Sequence, residues 1–366
     1  MHSRLDIFDQ LPNELNLKIS KSLSNAALIN LARTSKCHWT LFSPLIYIRQ
    51  FLHHVTRGEH DAVSAMLHED IRFLFIRDEV TDCSGREFNH ISGFEYALWA
   101  LDKHMWTAML ACIPQNKKGS KVFVELIAQY NKVKTDGVTY TLHGNTITES
   151  HFDFENTLLK ELRTQWELLK APGYNKDWDA IKRQWQAGVG GAQKLLPMHV
   201  VDEYCSNKSF HPQETFNVRP ESSRKFFNKT TNQFEYWFSV HSKLSIDFAI
   251  TKNRYYCYRS TWVNRQGGKS PCVATLWDCD GLALGIRVSS DLLSLVLLYE
   301  IRKKNFTDLQ SQLIEQRQEV PLYERNMILN FRNAYLKRWE EDQNGCFGFL
   351  RSSRMNVFSE NLTLER

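Results

Sequence analysis

The side chains most suited to covalent chemistry lie close together near the middle of the chain, as His199, Asp202 and Cys205, with His211 beyond them. On a helix, His199 and Asp202 would share a face because they stand three residues apart. A cysteine nucleophile needs a positioned base and a lowered pKa, and the spacing around Cys205 matches no known pattern that supplies them. We therefore expect a buried thiol and no catalytic residue, with a cysteine-dependent enzyme as the alternative.

Two further groups of side chains have cation-binding chemistry. Asp278 and Asp280 flank a cysteine at a predicted turn, where acidic residues are more commonly turn formers than ligands. His53, His54 and His60 have no cysteine or acid beside them at zinc spacing. The sequence also has no phosphate-binding loop, no Gly-x-Ser-x-Gly elbow and no His-Glu-x-x-His motif. We therefore expect neither a metal nor a cofactor.

Composition points to a globular protein of a reducing compartment. The chain has 46 Lys and Arg against 41 Asp and Glu, a balance that does not predict nucleic-acid binding. Its eight cysteines are scattered without a Cys-x-x-Cys pair, so we expect free thiols, and a Cys272–Cys279 disulfide stays open. The N-terminus lacks an apolar signal core, and the apolar run 292–298 is too short to span a bilayer. These features predict a cytoplasmic protein with no integral membrane association.

Residues 5–45 have the pattern of three short helices. Pro12 suits a first helical position, because its missing N–H costs nothing there. Apolar residues then recur every four positions, and Ser24 or Asn25 can cap a second helix with one apolar face. Ser43-Pro44 predicts the next break. A unit this small is expected to need a partner or a neighbouring domain to cover its open face.

The first of these helices begins Leu11-Pro12-Asn13-Glu14-Leu15, with Ile19 on the same face and leucines on the next helix. This stretch resembles the F-box family, whose signature is Leu-Pro-x-Glu-Leu, an isoleucine and then leucines on a second helix. The resemblance implies a protein that docks on the Skp adaptor of an SCF-type cullin–RING ubiquitin ligase and presents a target, without covalent chemistry of its own. It gives the partner-binding role to Leu11, Pro12, Glu14, Leu15, Ile19, Leu23, Leu28 and Leu31.

An internal repeat follows at an offset of 43 residues. Residues 51–67 align without gaps to residues 94–110, so that Phe51 matches Phe94 and Ala65 matches Ala108. Each copy predicts two short antiparallel helices, with turns at 57–59 and 100–102, and 82–86 looks like a hairpin tip before the second copy. The pair resembles ankyrin repeats with a longer finger, and an ordinary helical subdomain is the alternative. The alanines are expected where helices approach closely.

The rest of the chain predicts helices followed by a sheet. Apolar periodicity indicates helices over these ranges: 122–132, much of 153–204, 289–301, 306–318 and 323–341. Alternating or aromatic-rich runs indicate these strands: 138–142, 234–238, 244–250, 255–258, 273–277 and 282–286. Asp280-Gly281 predicts a hairpin between the last two strands, and residues 205–233 predict a loop. Arg302-Lys303-Lys304 is expected just after a helix, as a complement to its dipole.

Together these features predict a multidomain α+β protein. The expected division is an F-box-like helical domain at 1–47, ankyrin-like repeats at 48–118, and an α+β domain at 119–366 that carries an antiparallel sheet and binds the target. The predicted partners are the Skp adaptor, a cullin bound through it, and an unknown target protein. A non-catalytic scaffold for a cytoskeletal or membrane protein is a further alternative.

The order of these segments also carries a resemblance of origin. An F-box before ankyrin-like repeats, with a polar tail that has Leu364 near its end, is similar to effectors that intracellular bacteria inject by type IV secretion. The resemblance implies a bacterial protein that works in the cytosol of a host cell.

Overall fold

The structure is a computed structural model that describes residues 11–114, 116–171, 176–206, 210, 216–228, 230–252, 272–275 and 281–318. The chain divides into two compact units, one of residues 1–50 with 318–366 and one of residues 51–317. Helices and sheets occur together, which confirms the predicted α+β class.

The described part of the first unit is helical, as predicted. Its helices are α1 (Asn13–Lys21), α2 (Asn25–Ala32) and the first part of α3 (Lys36–Thr56). Pro12 takes the N-cap position of α1, and the Ser24 hydroxyl accepts a hydrogen bond from the Ala27 N–H at 3.3 Å to cap α2. The helices enclose a small core of Leu28, Ala32 and Phe42.

The predicted break at Ser43-Pro44 is wrong, because α3 continues through Pro44. A proline inside a helix costs about 3 kcal/mol through its missing donor and its clash with the preceding turn. Phe42 and Ile48 lie on either side of it and are buried, and each such side chain contributes about 1.5–3 kcal/mol. Packing of the flanking turns therefore offsets the proline.

The second unit begins with the two predicted helix pairs. The first pair is the end of α3 with α4 (His60–Glu69), and the second is α5 (Gly93–Trp99) with α6 (Lys103–Ala111). Helix ends and helix starts thus recur at the predicted offset, and both predicted turns are confirmed. Phe51 and Phe94 are fully buried, whereas Ala65 is exposed. The expected close approach of helices at Ala65 is therefore wrong.

The first sheet combines two strands that lie between the helix pairs with two strands that follow them. Its strands are β1 (Asp78–Thr81), β2 (Glu87–Ile91), β3 (Val138–Leu142) and β4 (Asn145–Glu149), antiparallel in that order, with α7 (Lys117–Asp136) leading into β3. The predicted hairpin tip at 82–86, the helix at 122–132 and the strand at 138–142 are confirmed. The sheet unites residues on both sides of position 118, and the predicted three-domain division stays a prediction.

Arg86 joins this sheet to the middle of the chain. Its guanidinium is buried 5.0–5.4 Å from the ring centroids of Trp99, Tyr140 and Phe152. Nη1 donates to the Leu195 carbonyl oxygen at 2.8 Å. A buried cation needs such partners. The contacts of Arg86 therefore fix the β1–β2 hairpin to the chain at Leu195, shortly before residue 198.

The segment 153–204 is largely helical, as predicted. Its elements are a π-helical turn (Glu155–Leu159), α8 (Lys160–Lys170), α9 (Trp178–Arg183), a second π-helical turn (Gln184–Val189), α10 (Gly190–Lys194) and α11 (Met198–Cys205). Leu162, Ile181 and Trp185 point inward and are almost fully buried.

The second sheet differs from the prediction. Its strands are β5 (Lys225–Asn228), β6 (Gln233–Tyr236), β7 (Ala249–Thr251) and β8 (Val273–Thr275), in the order β6-β5-β8-β7. The expected antiparallel pairing holds for β5 with β6 and for β7 with β8, but β5 and β8 are parallel. The loop expected over 205–233 contains β5, and the strand expected over 244–250 shortens to β7. The strand expected at 255–258 lies outside the described residues.

A single long helix, α12 (Gly281–Gln318), follows this sheet. The predicted hairpin at Asp280-Gly281 and the strand at 282–286 are therefore wrong, because leucine and alanine there favour a helix over a two-residue turn. The two helices expected over 289–301 and 306–318 are one. Residues 323–341 lie outside the described part of the chain. Within that part, no helix has the length and apolar content that a bilayer crossing requires.

Candidate functional site

Helix α11 is buried along its whole length and is the best candidate for a functional site in the second unit. Every side chain from Met198 to Cys205 is buried. Besides Tyr204, four of them are polar or ionisable: His199, Asp202, Glu203 and Cys205. Because burial of a charged group is costly unless the group is paired, the partners of these four define what the helix can do.

His199 contacts the turn between α5 and α6. Its Nε2 lies 2.7 Å from the Ala100 carbonyl oxygen, which assigns the ring proton to Nε2. Nδ1 is buried and has no hydrogen-bond partner within the described residues. Burial lowers the pKa of His199 to about 4, and the charge of Asp102 only partly opposes this. At neutral pH the ring is therefore an uncharged imidazole.

Asp202 holds an arginine from the strand region. Arg224 Nε donates to Asp202 Oδ1 at 2.9 Å, and Nη2 donates to Oδ2 at 3.3 Å. The same Nη2 donates to the Gly58 carbonyl oxygen at 2.9 Å, in the turn between α3 and α4. Burial raises the pKa of Asp202, and the Arg224 guanidinium opposes that rise. Asp202 thus links α11 to the first turn of the repeat through one side chain.

Glu203 meets an arginine that is buried in the middle of α12. Arg302 Nη2 donates to Glu203 Oε1 at 3.1 Å and to His104 Nε2 at 2.9 Å, while Nη1 donates to the Phe216 carbonyl oxygen at 3.0 Å. Because Arg302 can only donate, His104 Nε2 must accept, so this ring is neutral. Burial, followed by the Arg302 charge, lowers the pKa of His104 to about 3.

Asp102 completes this polar cluster. Its carboxylate caps α6 by accepting the Met105 N–H at 3.0 Å. Burial raises the pKa of Asp102, but His199, His60, His104 and the Met105 N–H outweigh burial, so the net direction is downward. The Asp102 carboxylate thus fixes the start of α6 next to this cluster.

Cys205 packs against a second thiol. Its Sγ lies 3.5 Å from Cys272 Sγ, just before β8. Burial raises the pKa of the Cys205 thiol well above its ordinary value, Cys272 adds to the rise, and Lys252 opposes it. Lys252 Nζ donates to Ser206 Oγ at 2.6 Å and to the Glu203 carbonyl oxygen.

The three side chains that the sequence grouped therefore have three different partners. His199 binds a backbone carbonyl, Asp202 binds Arg224, and Cys205 contacts Cys272. They share one helix but point toward different elements, and His211 lies outside the described residues. The cysteine-dependent enzyme stays a prediction that this geometry does not favour.

The histidines and aspartates that the sequence analysis considered as metal ligands lie outside α11. Among the described residues, no three His, Cys, Asp or Glu side chains are arranged to hold a metal ion. His54 Nδ1 contacts Glu59, and His60 Nδ1 donates to the Gly58 carbonyl oxygen at 2.8 Å. Asp278 and Asp280 lie outside the described residues.

The predicted partner-binding residues of the first unit differ in exposure. Leu15 and Ile19 are 46% and 41% exposed. Pro12 and Glu14 are exposed, Leu28 is fully buried, and three leucines are half-buried, namely Leu11, Leu23 and Leu31. Leu28 can therefore support an apolar face but cannot itself contact a partner.

Sequence reasoning missed two aromatic residues on the same unit. Trp39 and Tyr47 are 42% and 45% exposed on α3. Their spacing of eight places them on one face of a continuous helix, but the expected break at Pro44 hid this relation. An open groove of about 460 Å³ lies beside Trp39, where α2 ends and α3 begins.

It also missed the two arginines that hold α11. Arg302 lies on the buried stripe of α12, at helical spacing from Leu295, Leu298 and Leu309. A charged residue on an apolar stripe was the available signal. The expected position just after a helix is wrong for Arg302, because α12 runs on to Gln318. Arg224 had no such signal, since it comes from a stretch without helical periodicity.

Comparisons with known proteins find one matching family model and a bacterial relative. Residues 157–313 match the family model described as the CBUA0006 C-terminal domain. The chain is 30% identical over 283 residues to a protein of Coxiella burnetii (strain RSA 493 / Nine Mile phase I) named uncharacterized protein CBUA0006. That alignment covers 72% of this chain and 75% of the Coxiella protein. No solved structure matches the chain. The matched C-terminal domain includes α11, Cys272 and Arg302.

Proposed function

We infer that this chain, which belongs to the family of the Coxiella burnetii protein CBUA0006, is an F-box substrate receptor that docks on the Skp adaptor of an SCF-type ligase. One observation carries the proposal: Leu15 and Ile19 leave a small helical unit with an apolar, exposed face. Exposed apolar side chains arranged on one helix face are typical of a surface that a partner covers.

The core of the unit supports this reading. Among the described residues, Leu28, Ala32 and Phe42 form it and six partly buried apolar side chains pack against them, but Leu15 and Ile19 are not among these six. A core of this size stabilises only a few kcal/mol, and such units commonly gain stability from a partner. The exposed face therefore has a physical reason to be bound.

The frame that presents the face is rigid. Arg49 is buried in α3, and its Nη1 donates to the Leu23 carbonyl oxygen at 2.7 Å. Its Nη2 donates to the Lys21 carbonyl oxygen at 2.6 Å. These bonds satisfy the free carbonyl groups at the end of α1 and fix its orientation, which lowers the entropy cost of binding.

The second unit is then the part that presents a target to a cullin-bound ligase. We assign the ankyrin-like role to the paired helices α3–α4 and α5–α6, and target binding to the domain with the second sheet. The chain would act as a bacterial effector in the cytosol of a host cell. The organism of its relative supports a bacterial origin.

A second candidate, a scaffold that binds through the second sheet, has one observation in its favour. Phe234 and Tyr236 are 40% and 58% exposed on β6, which ends the described order of that sheet. Lys225 Nζ stacks 4.4 Å from the centroid of the Tyr236 ring. An exposed edge strand with aromatic side chains is suited to strand addition.

Binding to a purified Skp adaptor tests the first proposal. Leu15→Ala with Ile19→Ala should weaken binding of the full chain at least about thirtyfold, because each half-exposed side chain would contribute about 1–1.5 kcal/mol on burial. The melting temperature should stay unchanged, since neither side chain is in the core. Isothermal titration calorimetry and differential scanning fluorimetry measure the two effects.

Leu293→Ala is the matched control, because this leucine is 66% exposed in the second unit and should leave adaptor binding intact. Wild-type protein that binds no Skp adaptor, or a double variant that binds it equally well, would refute the F-box proposal. The scaffold would be favoured if Phe234→Ser with Tyr236→Ser abolished the cellular effect of the protein while Leu15→Ala with Ile19→Ala kept it.

A further inference from the structure

Two cysteines from distant parts of the chain meet in the second unit. Cys205 ends α11, and Cys272 precedes β8, with their sulfur atoms 3.5 Å apart. Both side chains are 1% exposed. Bonded sulfur atoms lie about 2.05 Å apart, so a shift of about 1.5 Å would bring the pair into bonding range. Rotation of one side chain can supply most of a shift of this size.

Contacts on both sides fix the positions of the two thiols. β8 pairs with β5 at Phe227 and with β7 at Ile250, which fixes the backbone next to Cys272. Cys272 Sγ lies 3.6 Å from the Lys225 carbonyl oxygen. On the other side, Lys252 Nζ donates to Ser206, the neighbour of Cys205. The charge of Lys252 lowers the pKa of Cys205 against the rise that burial causes, which favours its thiolate.

We propose that Cys205 and Cys272 form a peroxide-oxidisable dithiol that closes to a disulfide between α11 and the residue before β8. Hydrogen peroxide oxidises one thiol to a sulfenic acid and releases one water. The second sulfur then attacks the sulfenic sulfur, the S–O bond breaks, and the hydroxyl leaves with the thiol proton as a second water. Two thiols are thus oxidised by two electrons, and one peroxide is reduced to two waters.

The bond would tie together elements that are distant in sequence. It would close the loop from Ser206 to the residue before Cys272, which contains β5, β6 and β7. A crosslink over a long loop restricts the unfolded chain, so the oxidised protein should melt at a higher temperature. Because both sulfurs are buried, a small oxidant should reach them more easily than a bulky thiol reagent.

Peroxide treatment of the full chain tests the proposal. The treated protein is denatured, alkylated and digested, and the peptides are mapped by mass spectrometry before and after dithiothreitol. We expect a crosslinked peptide pair containing Cys205 and Cys272, its loss on reduction, and a melting temperature that rises on oxidation and returns. Recovery of both residues as alkylated thiols or as higher oxides would overturn the proposal, as would a Cys272–Cys279 crosslink.

Three variants separate this bond from other oxidation. Cys205→Ser and Cys272→Ser should each lose the crosslink and the rise in melting temperature. Cys112→Ser should keep both, because Cys112 Sγ contacts only the Ala108 and Ser64 carbonyl oxygens among its described partners. A rise that persists in Cys205→Ser would assign the effect to other cysteines and refute the proposal. The wild-type peptide map decides the matter even if a serine variant folds poorly.

Discussion

The two copies of the internal repeat have the same backbone plan but different residues at its most demanding position. α3 and α5 end at equivalent residues, and α4 and α6 begin at equivalent residues. Between them, one residue in each turn has a left-handed backbone, Gly58 at φ 64° and Leu101 at φ 57°. These two positions are also equivalent. Glycine takes this conformation freely, whereas leucine is strained there by about 1–2 kcal/mol.

The contacts of the two turns explain why both keep the left-handed backbone. The Gly58 carbonyl oxygen binds Arg224, which is held by Asp202, and the Ala100 carbonyl oxygen binds His199. Both turns therefore direct a carbonyl group toward a side chain of α11 or toward its partner. Leu101 is fully buried, and burial contributes about 1.5–3 kcal/mol, enough to offset its strain. The fold keeps the conformation in both copies because α11 needs both carbonyl groups.

The largest expected effect comes from removing the charge that holds the other side of α11. Arg302→Met should destabilise the protein by about 3–5 kcal/mol, because it takes the guanidinium away from the buried Glu203 carboxylate and from His104. Urea unfolding followed by circular dichroism measures the loss. If the two turns alone held α11, this variant would unfold at nearly the wild-type urea concentration.

Lys303→Met is the control for this variant. The lysine is adjacent in sequence but half-exposed, and its ion pair with Glu300 has a separation of 3.8 Å. Exposed pairs contribute about 0–1 kcal/mol, so its removal should change little. A loss in Lys303→Met as large as in Arg302→Met would assign the effect to the charge of the helix instead of the buried contact.

Acid should destabilise the protein through the two histidines of the cluster. The pKa of His104 is about 3 and that of His199 about 4 in the folded state, against about 6.5 when unfolded. As pH falls below about 6.5, the unfolded chain takes up protons that the folded protein does not, so stability decreases. From pH 7 to pH 5 the free energy of unfolding should fall by about 2–4 kcal/mol, measured as a shift in the urea midpoint.

His199→Gln should make this pH dependence shallower, because it removes one of the two depressed groups. His241→Gln changes an exposed histidine and serves as the matched control. If stability depended on pH equally in wild type and in His199→Gln, His199 would not be a buried neutral imidazole. The hydrogen bond from His199 to the Ala100 carbonyl oxygen would then not explain the second turn.

The repeat was predictable from sequence because local signals agreed with the fold. Matching apolar residues and two turn positions were enough to locate both helix pairs. The partners of α11 were not, because Arg224 and Arg302 are brought to it by tertiary contacts that local spacing does not encode. The helix at 282–286 was missed for a related reason: a two-residue turn signal is local, whereas the preference for α12 accumulates over its whole length.

Gly58→Ala tests the first turn directly. It should cost about 2–3 kcal/mol, part from the left-handed backbone and part from crowding. An added Cβ would lie 3.2 Å from both Arg224 Nη2 and Met198 Cγ. Gly85→Ala isolates the backbone part, because Gly85 has φ 87° and nothing within 4 Å of the added Cβ. Equal losses in urea unfolding would mean that the first turn does not pack against the partners of α11.

The smallest effect tests the strain at the second turn, and it is read as a difference between two variants of Leu101. Both Leu101→Ala and Leu101→Gly lose the same buried contacts, so their cavities nearly cancel. At an ordinary position glycine is less stable than alanine by about 0.5–1 kcal/mol, but a left-handed backbone reverses the order, because alanine is strained there and glycine is not. Leu101→Gly should therefore unfold at a higher urea concentration than Leu101→Ala, with a free energy of unfolding about 1 kcal/mol larger.

Leu98 is the matched control, since it is equally buried but lies within α5, where the alanine variant should be the more stable. The same order at both positions would mean that Leu101 is unstrained, and the equivalence of the two turns would fail.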